Sequence, residues 1–335
     1  MIVSRISYLV QILIKPLCMV FLVLCLGCAA GQVKELRLGQ IFWPPMGLET
    51  PQELIDVGVG FAIRHSDVLL VQVSWSPGVD LLASTKWMSD LALEHNRSLV
   101  IAIDWQEPGR RGVAGGLAWS FCDVNVSREF THEVMRLITA RRPEKLIVGV
   151  EVDHLAITDP ESFRAFAHAA RAISLSIASD SLDSKVGVSF DVLNLSRVAR
   201  TGNIYDLVSP FARSMQFVGM SIYPDKDESA EFAIERSFNI VDQLVDLWPE
   251  TIISEASYPV SLDSEKIEQS EVEQELFLRL LVNAAQDYEI TLLIWTSVID
   301  TKVAPKPWMS RLGLLRIDGF QRPSANLWID LRGIP

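Results

Sequence analysis

The sequence is poor in cysteine, histidine and basic residues, and each shortage argues against a class of protein. The four cysteines and five histidines are scattered without the spacing of a zinc site. Cys18 and Cys25 lie in an apolar N-terminal stretch, which leaves too few cysteines for a disulfide framework. Acidic residues outnumber basic ones by 42 to 30, and such a surface repels phosphate backbones, so nucleic acid is not expected as a partner.

Two catalytic signatures are also missing from the sequence. No candidate strand is followed by a glycine-rich phosphate loop, and no G-x-S-x-G elbow indicates a serine hydrolase. What the sequence does have is length and apolar content, since 335 residues at 49% hydrophobic can bury a large core. We therefore expect one large domain that contains neither a phosphate-binding loop nor a serine-hydrolase site.

The N-terminus has the layout of a secretory signal, with a basic start, an apolar run and then small residues. The stretch CLGC resembles the lipobox of bacterial lipoproteins, which implies cleavage before Cys28 and lipidation of that cysteine. Lys15 and Pro16 cut the apolar run short of the ~20 residues that a membrane-spanning helix needs. This pattern favours a lipoprotein over plain secretion, and both over an uncleaved anchor. We expect an exported chain that is lipid-anchored to a bacterial membrane, or else periplasmic or secreted.

The remaining chain alternates short apolar runs with segments of helical periodicity. The candidate strands are RLGQIFW (37–43), VLLVQVSW (68–75), SLVIAIDW (98–105), KLIVGVEV (145–152), KVGVSFDV (185–192), QFVGMSIY (216–223), TIISEASY (251–258) and ITLLIWTS (290–297). Apolar strands that alternate with helices predict a parallel sheet, and eight such units predict a (β/α)8 TIM barrel. A doubly wound open sheet is disfavoured, because functional-looking residues end nearly all of the strands. The predicted organisation is a signal peptide at 1–27, a short linker at 28–35 and a single barrel domain at 36–335.

Carboxylate, amide and aromatic side chains cluster where the candidate strands end. They are Trp75, Asp104, Trp105, Glu151, Asp191, Asn194, Tyr223, Glu255 and Trp295. In a TIM barrel these ends form the active-site face. Aromatic faces stack on sugar rings and carboxylates pair with hydroxyl groups, so the mixture predicts a carbohydrate site. For any one acid the competing interpretation is an ion-paired carboxylate at the rim, and for each tryptophan it is packing.

Two of these acids have the placement that glycoside hydrolysis needs. Glu151 and Glu255 end the fourth and seventh candidate strands, and closure of a barrel brings such ends face to face. A glycosidase uses two carboxyl groups, one to protonate the leaving oxygen and one to attack the anomeric carbon or activate water.

Several segments in this order resemble clan A glycoside hydrolases, and most narrowly the family 53 arabinogalactan endo-β-1,4-galactanases. IVGVEVDHLA resembles their strand-four VGNEI, and DWQEPGRRGVAGGLAW resembles their strand-three D-x-W-x-x-P-G stretch. MSIYPD resembles their strand-six YYP, IISEASYPV resembles their strand-seven E-x-x-YP, and GLLRIDGFQRPSANLW resembles the closing segment of clan A enzymes. The matches run from the third strand to the eighth.

The resemblance implies a retaining mechanism with Glu151 as general acid/base, Glu255 as nucleophile and Tyr223 as the residue that orients Glu255. It also implies that Trp295 forms the platform under the sugar. Substrate-binding roles are expected for Trp75, Asp104, Trp105, Asp191 and Asn194. No cofactor or metal is required by this chemistry, and the expected partner is an oligo- or polysaccharide.

One departure from the family pattern leaves two functions open. Val150 stands where clan A enzymes carry an asparagine that contacts the sugar 2-hydroxyl. The first hypothesis is an endo-β-1,4-galactanase-like glycosidase that acts on a β-linked polysaccharide, with galactan as one candidate. The second is a catalytically silent barrel that binds carbohydrate or a surface partner. A barrel enzyme that uses its carboxylates for metal binding is a weaker third hypothesis, because the strand ends offer few histidines.

Overall fold

The structure is a computed structural model that describes residues 35–41, 52–107, 113–114, 119–180, 182–225, 227–301 and 307–333. The predicted signal peptide and Cys28 lie outside these residues. The barrel belongs to one compact unit that spans Leu36–Pro335. Within the described residues, no helix combines the length and the apolar character that crossing a membrane requires.

The predicted TIM barrel is confirmed. The strands are β1 (Arg37–Ile41), β2 (Val68–Ser74), β3 (Ser98–Asp104), β4 (Lys145–Ile147), β5 (Lys185–Asp191), β6 (Phe217–Ile222), β7 (Thr251–Ala256) and β8 (Leu292–Trp295). Each strand pairs in parallel with the next, and β8 pairs with β1 to close the sheet in the order β1 to β8. All eight candidate strands form, but β4 ends five residues earlier than the apolar run predicts.

Helices follow the strands and cover the outside of the barrel. They are α1 (Gln52–His65), α2 (Leu81–Ser84), α3 (Lys86–Glu94), α4 (Val124–Arg141), α5 (Asp153–Thr158), α6 (Pro160–Ser179), α7 (Val192–Ala199), α8 (Tyr205–Ala212), α9 (Ala230–Leu244), α10 (Ile267–Asp287) and α11 (Pro323–Gly333). Short 3-10 turns lie at Val245–Leu247, Ser264–Lys266 and Pro307–Arg311. Helix α8 forms despite Pro210, whose missing N–H removes only the helical hydrogen bond to the carbonyl of Asp206, an exposed residue.

Alternation along the strands divides the apolar core in two. One set of side chains fills the interior of the barrel, and it consists of Ile41, Val68, Leu70, Val100, Ala102, Ile147, Val150, Phe217, Ile252, Leu292 and Ile294. The neighbouring residues on each strand point outward into a larger layer between sheet and helices. Which set a residue joins decides whether its side chain can reach the cleft at the carboxyl ends of the strands.

The amino-terminal end of the barrel is closed by ion pairs. Lys145 is buried and lies 3.0 Å from both Glu144 and Glu250. The hydrogen bond from Arg37 lowers the pKa of Glu144 to about 2. Burial acts to raise the pKa of Glu250, but the hydrogen bond from Lys185 and the charge of Lys145 outweigh it and hold that pKa at about 2. This end therefore contributes stability, while the opposite end carries the site.

Candidate active site

Strand alternation places polar side chains at the inner rim of the carboxyl end. On β2 and β3 the inward positions run through Val68 and Leu70 and through Val100 and Ala102, so Gln72 and Asp104 continue them toward the cleft. Gln72 donates a 3.0 Å hydrogen bond from its amide nitrogen to Asp104 Oδ2. Asp104 is thus held at the rim by a neighbouring strand.

The same alternation corrects the expected sugar-stacking roles of three tryptophans. Trp75, Trp105 and Trp295 are all 0% exposed and belong to the outer layer between sheet and helices. Trp75 packs edge-on against Phe130, with ring centroids 4.8 Å apart, and Trp295 packs against Phe277. A ring with no exposed surface offers no face to a ligand, so these tryptophans are packing residues in this structure. They are one residue out of phase with the inward positions of their strands.

The inward residue at the end of β8 is Thr296, which follows Trp295. Its hydroxyl lies 3.0 Å from the hydroxyl of Tyr223, and Tyr223 donates a 2.8 Å hydrogen bond to Glu255 Oε2. Burial and then the charges of Glu255 and Glu151 raise the pKa of Tyr223 well above its ordinary value. Tyr223 therefore stays protonated as a donor to Glu255, and the charges of both glutamates act on its hydroxyl.

Glu255 reaches the cleft because β7 is irregular. Ile252 faces the barrel interior and Ile253 faces the outer layer, so strict alternation would turn Glu255 outward. The pairing with β6 shifts between Met220, which faces Ile253, and Ser221, which faces Glu255. The extra residue is Ser254, and such a bulge re-aims the next side chain. Glu255 is 6% exposed at this rim.

Glu151 has the least common backbone conformation in the site. Its φ angle is +50°, a left-handed conformation that costs a residue with a side chain about 1 kcal/mol or more. Its N–H donates to Ser189 Oγ at 3.0 Å, and its carbonyl accepts from the Gln106 amide nitrogen at 3.0 Å. Strain of this kind persists where the surroundings fix it, and it concentrates at functional sites.

A buried acidic cluster lies beside Glu151 at the ends of β4 and β5. Asp153 is 0% exposed and accepts hydrogen bonds from Asn194 Nδ2 at 2.6 Å and from the Asp191 N–H at 2.9 Å. His154 Nε2 lies 3.0 Å from Asp191 Oδ2. The structure thus places the predicted hydroxyl-binding residues Asp191 and Asn194 together, but engages both in bonds within the protein.

Two residues of this cluster, Asp153 and His154, have raised pKa values. Burial raises the pKa of Asp153 to about 7, and the charge of Asp191 adds to that effect. Burial alone would lower the pKa of His154, but its hydrogen bond to Asp191 and the charges of Asp153, Asp191 and Glu151 outweigh burial and raise it. The pKa values of both Asp153 and His154, beside Glu151, are therefore raised.

Sequence reasoning missed three residues that contact the site: Gln106, Ser189 and Thr296. Strand periodicity could have found Ser189 and Thr296, since both lie on the inward phase of otherwise apolar strands. Gln106 carries no such signal, because it lies in the loop that follows β3. Cys122, outside this cluster, is a free and exposed cysteine. The described part of the chain contains no group of three or more His, Cys, Asp or Glu residues placed to hold a metal ion.

Comparison with known proteins shows the fold. No family model and no curated protein matches the sequence. Among solved structures, a variant of the GH5_18 enzyme from Bifidobacterium longum in complex with Manβ1-4GlcNAc aligns with a TM-score of 0.67 at 14% identity, over 89% of this chain and 78% of that one. An exo-β-1,4-mannosidase from Opitutaceae bacterium strain TAV5 aligns with a TM-score of 0.66 at 14% identity, over 89% of this chain and only 59% of that one.

A fungal β-1,4-galactanase is a further structural neighbour, with a TM-score of 0.60 at 14% identity over 81% of this chain and 90% of that one. These neighbours are glycoside hydrolases built on TIM barrels, and this chain shares their fold. At such identities, the sugar that each binds remains a property of that protein.

Proposed function

We propose that the protein is an exported retaining glycoside hydrolase that acts on a β-linked polysaccharide. The observation that carries the proposal is the position of the Tyr223 hydroxyl. It donates a hydrogen bond to Glu255, and the charge of Glu151 raises its pKa. The glycoside-hydrolase fold of the structural neighbours supports it. The galactanase among them, together with the sequence resemblance, makes a galactan-like polymer the first substrate to try.

The proposed reaction has two displacements. In the first, a carboxylate oxygen of Glu255 bonds to the anomeric carbon while the bond to the leaving oxygen breaks, and Glu151 gives its proton to that oxygen. In the second, Glu151 takes a proton from water, the water oxygen bonds to the anomeric carbon, and Glu255 is released. Tyr223 keeps Glu255 oriented and ionised by donating to it.

The test compares the wild-type chain with Glu255→Ala and Glu151→Ala on galactans, mannans and glucans. Both variants are expected to lose hydrolysis by orders of magnitude, while Glu235→Ala, an exposed glutamate on α9, keeps it. Azide separates the two roles when an activated β-glycoside is the substrate. It should restore turnover of Glu255→Ala with an α-glycosyl azide as product, and of Glu151→Ala with a β-glycosyl azide. Equal rates for the wild type and Glu255→Ala would refute the assignment.

A catalytically silent barrel that binds carbohydrate is the second candidate function. Val150, at the position where the resembled enzymes carry asparagine, is 1% exposed and belongs to the apolar cluster inside the barrel. The buried state of Trp75, Trp105 and Trp295 also removes the expected stacking platforms. Saturable glycan binding without hydrolysis by the wild-type chain would favour this function.

Export and lipidation form a separate part of the proposal, supported by the N-terminal sequence alone. Cys28 is the proposed lipid attachment site. The full-length chain, expressed in a bacterial host, should partition into detergent, and Cys28→Ser should move it to the aqueous phase. Aqueous partition of both chains would exclude the anchor.

A further inference from the structure

Beyond Ile147, the last residue of β4, the chain no longer pairs with β3 through its backbone. The β3–β4 ladder stops at the pair Ala102 and Ile147, while the chain continues through buried residues to Glu151. Buried carbonyl groups without a partner cost free energy, so this segment needs other donors on its β3 side.

Two side chains at the end of β3 supply these donors. Trp105 Nε1 donates to the carbonyl of Val148 at 3.2 Å. The amide nitrogen of Gln106 donates to the carbonyls of Val150 and Glu151 at 2.6 and 3.0 Å. Because both partners of Gln106 are carbonyl acceptors, only its amide nitrogen can face them.

The other edge of the segment is held by β5. The Val148 N–H donates to the carbonyl of Gly187 at 2.9 Å, and the Val152 N–H donates to the carbonyl of Ser189 at 3.0 Å. The Ser189 hydroxyl accepts from the Glu151 N–H. The left-handed turn at Glu151 is therefore fixed from both sides, by β5 through Ser189 and by the β3 loop through Gln106.

Gln106 is itself held firmly. It is 4% exposed, and its backbone N–H donates to Asp104 Oδ1 at 3.1 Å, while the other oxygen of Asp104 accepts from Gln72. Its own amide oxygen is buried and has no hydrogen-bond partner among the residues that the structure describes. Burying an acceptor without a partner costs free energy, so the two hydrogen bonds that the amide nitrogen donates are what stabilise this position of the side chain.

We propose that Gln106 is a positioning residue for the general acid/base: its amide holds the carbonyls of Val150 and Glu151 and so fixes the left-handed turn that aims the Glu151 carboxyl at the cleft. The inference rests on the proposed function. Gln106 bonds to the two peptide groups on either side of the Glu151 Cα atom, so it acts on the carboxyl through the backbone. A shift of about 1 Å in a catalytic group can cost about 100-fold in rate.

The test is Gln106→Met, which keeps the length of the side chain and removes both donated bonds. Its matched control is Gln274→Met on α10, because Gln274 is also buried and donates from its amide nitrogen to a backbone carbonyl, that of Tyr258, at 2.8 Å. Each is assayed on phenyl and 2,4-dinitrophenyl β-glycosides of galactose, mannose, xylose and glucose. Dinitrophenolate leaves without a proton, so only the phenyl glycosides need the acid.

Gln106→Met should lose about 100-fold in kcat/KM on a phenyl glycoside and much less on the dinitrophenyl glycoside, because kcat/KM reports the first displacement, in which only the phenyl leaving group needs the acid. Gln274→Met should change both substrates alike. A loss for Gln106→Met that is equal on the two leaving groups, or matched by Gln274→Met, would overturn the proposal. Gln106→Asn, whose shorter side chain cannot span both carbonyls, provides the same comparison if the methionine variant does not fold.

Crystal structures of the variants separate failure of this inference from failure of the proposed function. If the wild type cleaves neither these glycosides nor the galactans, mannans and glucans, the proposed function fails, while the positioning role is still read from residue 151. In Gln106→Met and Gln106→Asn the φ angle of Glu151 should leave the left-handed region or its carboxyl should move, and Gln274→Met should leave both in place. An unchanged turn without the Gln106 amide would show that Ser189 alone suffices and that the inference is wrong.

Discussion

Tyr223, which follows β6, donates a 2.8 Å hydrogen bond to Oε2 of Glu255 on the neighbouring strand β7. The same hydroxyl lies 3.0 Å from Thr296 Oγ1 at the end of β8, so three strand ends meet at one oxygen. Because burial and two carboxylates raise the pKa of Tyr223, the phenol keeps its proton and stabilises the ionised form of Glu255. This relationship joins the fold to the proposed chemistry, since β6, β7 and β8 lie side by side in the sheet and end at the same rim.

Tyr223→Phe should lower kcat/KM by roughly 10- to 100-fold, since a hydrogen bond to a charged group contributes about 1.5 to 3 kcal/mol. The measurement is steady-state kinetics on the best glycan substrate. Tyr205→Phe is the matched control, because Tyr205 also donates its hydroxyl, to the carbonyl of Gln243, but at an exposed position. Equal losses in the two variants would argue against a role for Tyr223 in orienting Glu255.

The left-handed backbone of Glu151 predicts an unusual order of stabilities. Glycine adopts a φ of +50° without strain, so Glu151→Gly should be more stable than Glu151→Ala by about 1 kcal/mol in urea unfolding. At Glu255, which lies in extended strand β7, the order should reverse, because glycine weakens a strand by about 0.5 to 1 kcal/mol relative to alanine. If alanine is the more stable at both positions, the turn at Glu151 carries no strain.

The buried cluster beside Glu151 predicts how stability depends on pH. The pKa of Asp153 is raised from 3.8 to about 7, so the folded protein keeps a proton that the unfolded chain has already released. A group with a raised folded pKa contributes stability at low pH that is lost as the pH rises, here between about pH 4 and pH 7. The raised pKa of His154 acts in the same direction.

Asp153→Asn removes the Asp153 titration, and the flipped Asn194 amide can still bond to it. The free energy of unfolding of the variant should therefore fall less than that of the wild type as the pH rises from about 5 to about 8, as measured by urea unfolding. Asp80→Asn is the control, because Asp80 is exposed and asparagine caps a helix equally well. Parallel pH curves for Asp153→Asn and the wild type would show that Asp153 does not hold the extra proton.

The fold could be predicted from the sequence because its pattern is regular. Eight apolar runs separated by helical periodicity require a covered parallel sheet, and eight units favour closure. The end of β4 could not be predicted in this way. The apolar run predicts a strand through Val152, but the pairing with β3 stops at Ile147, because the segment that follows bends to place Glu151. Apolar content alone does not reveal where a buried chain leaves its ladder.

The site could be predicted only in part, because strand ends are identifiable while the facing of side chains is not. Glu255 reaches the cleft through a bulge at Ser254, which no two-residue period would place there. Trp295 fails for the complementary reason: its strand is regular, and regular alternation turns it outward and Thr296 inward. Glu255 and Trp295 both lie at strand ends, so position along the sequence does not distinguish them. The direction in which each side chain points, into the cleft or toward the helices, does.

The outward placement of Trp295 predicts a structural and not a binding phenotype. Trp295→Phe removes the 3.0 Å hydrogen bond from Nε1 to the carbonyl of Leu312 and leaves a void against Phe277. The free energy of unfolding should fall by about 1 to 3 kcal/mol, with KM for the glycan little changed. If KM rises about tenfold while the free energy of unfolding is unchanged, Trp295 contacts the sugar, as the sequence resemblance implies.

Val150→Asn tests what the departure from the resembled family means. Val150 is 1% exposed within the apolar interior of the barrel, beside residues such as Val100 and Ile147, and not at the rim where a sugar would lie. Burying an amide there without partners should cost about 1 to 3 kcal/mol of unfolding free energy, and kcat should not rise. Val100→Asn is the control, because Val100 belongs to the same cluster but lies on β3; it should lower the free energy of unfolding by a similar amount. If Val150→Asn instead raises kcat above that of the wild type, its side chain reaches the substrate, and the valine is then what limits the reaction.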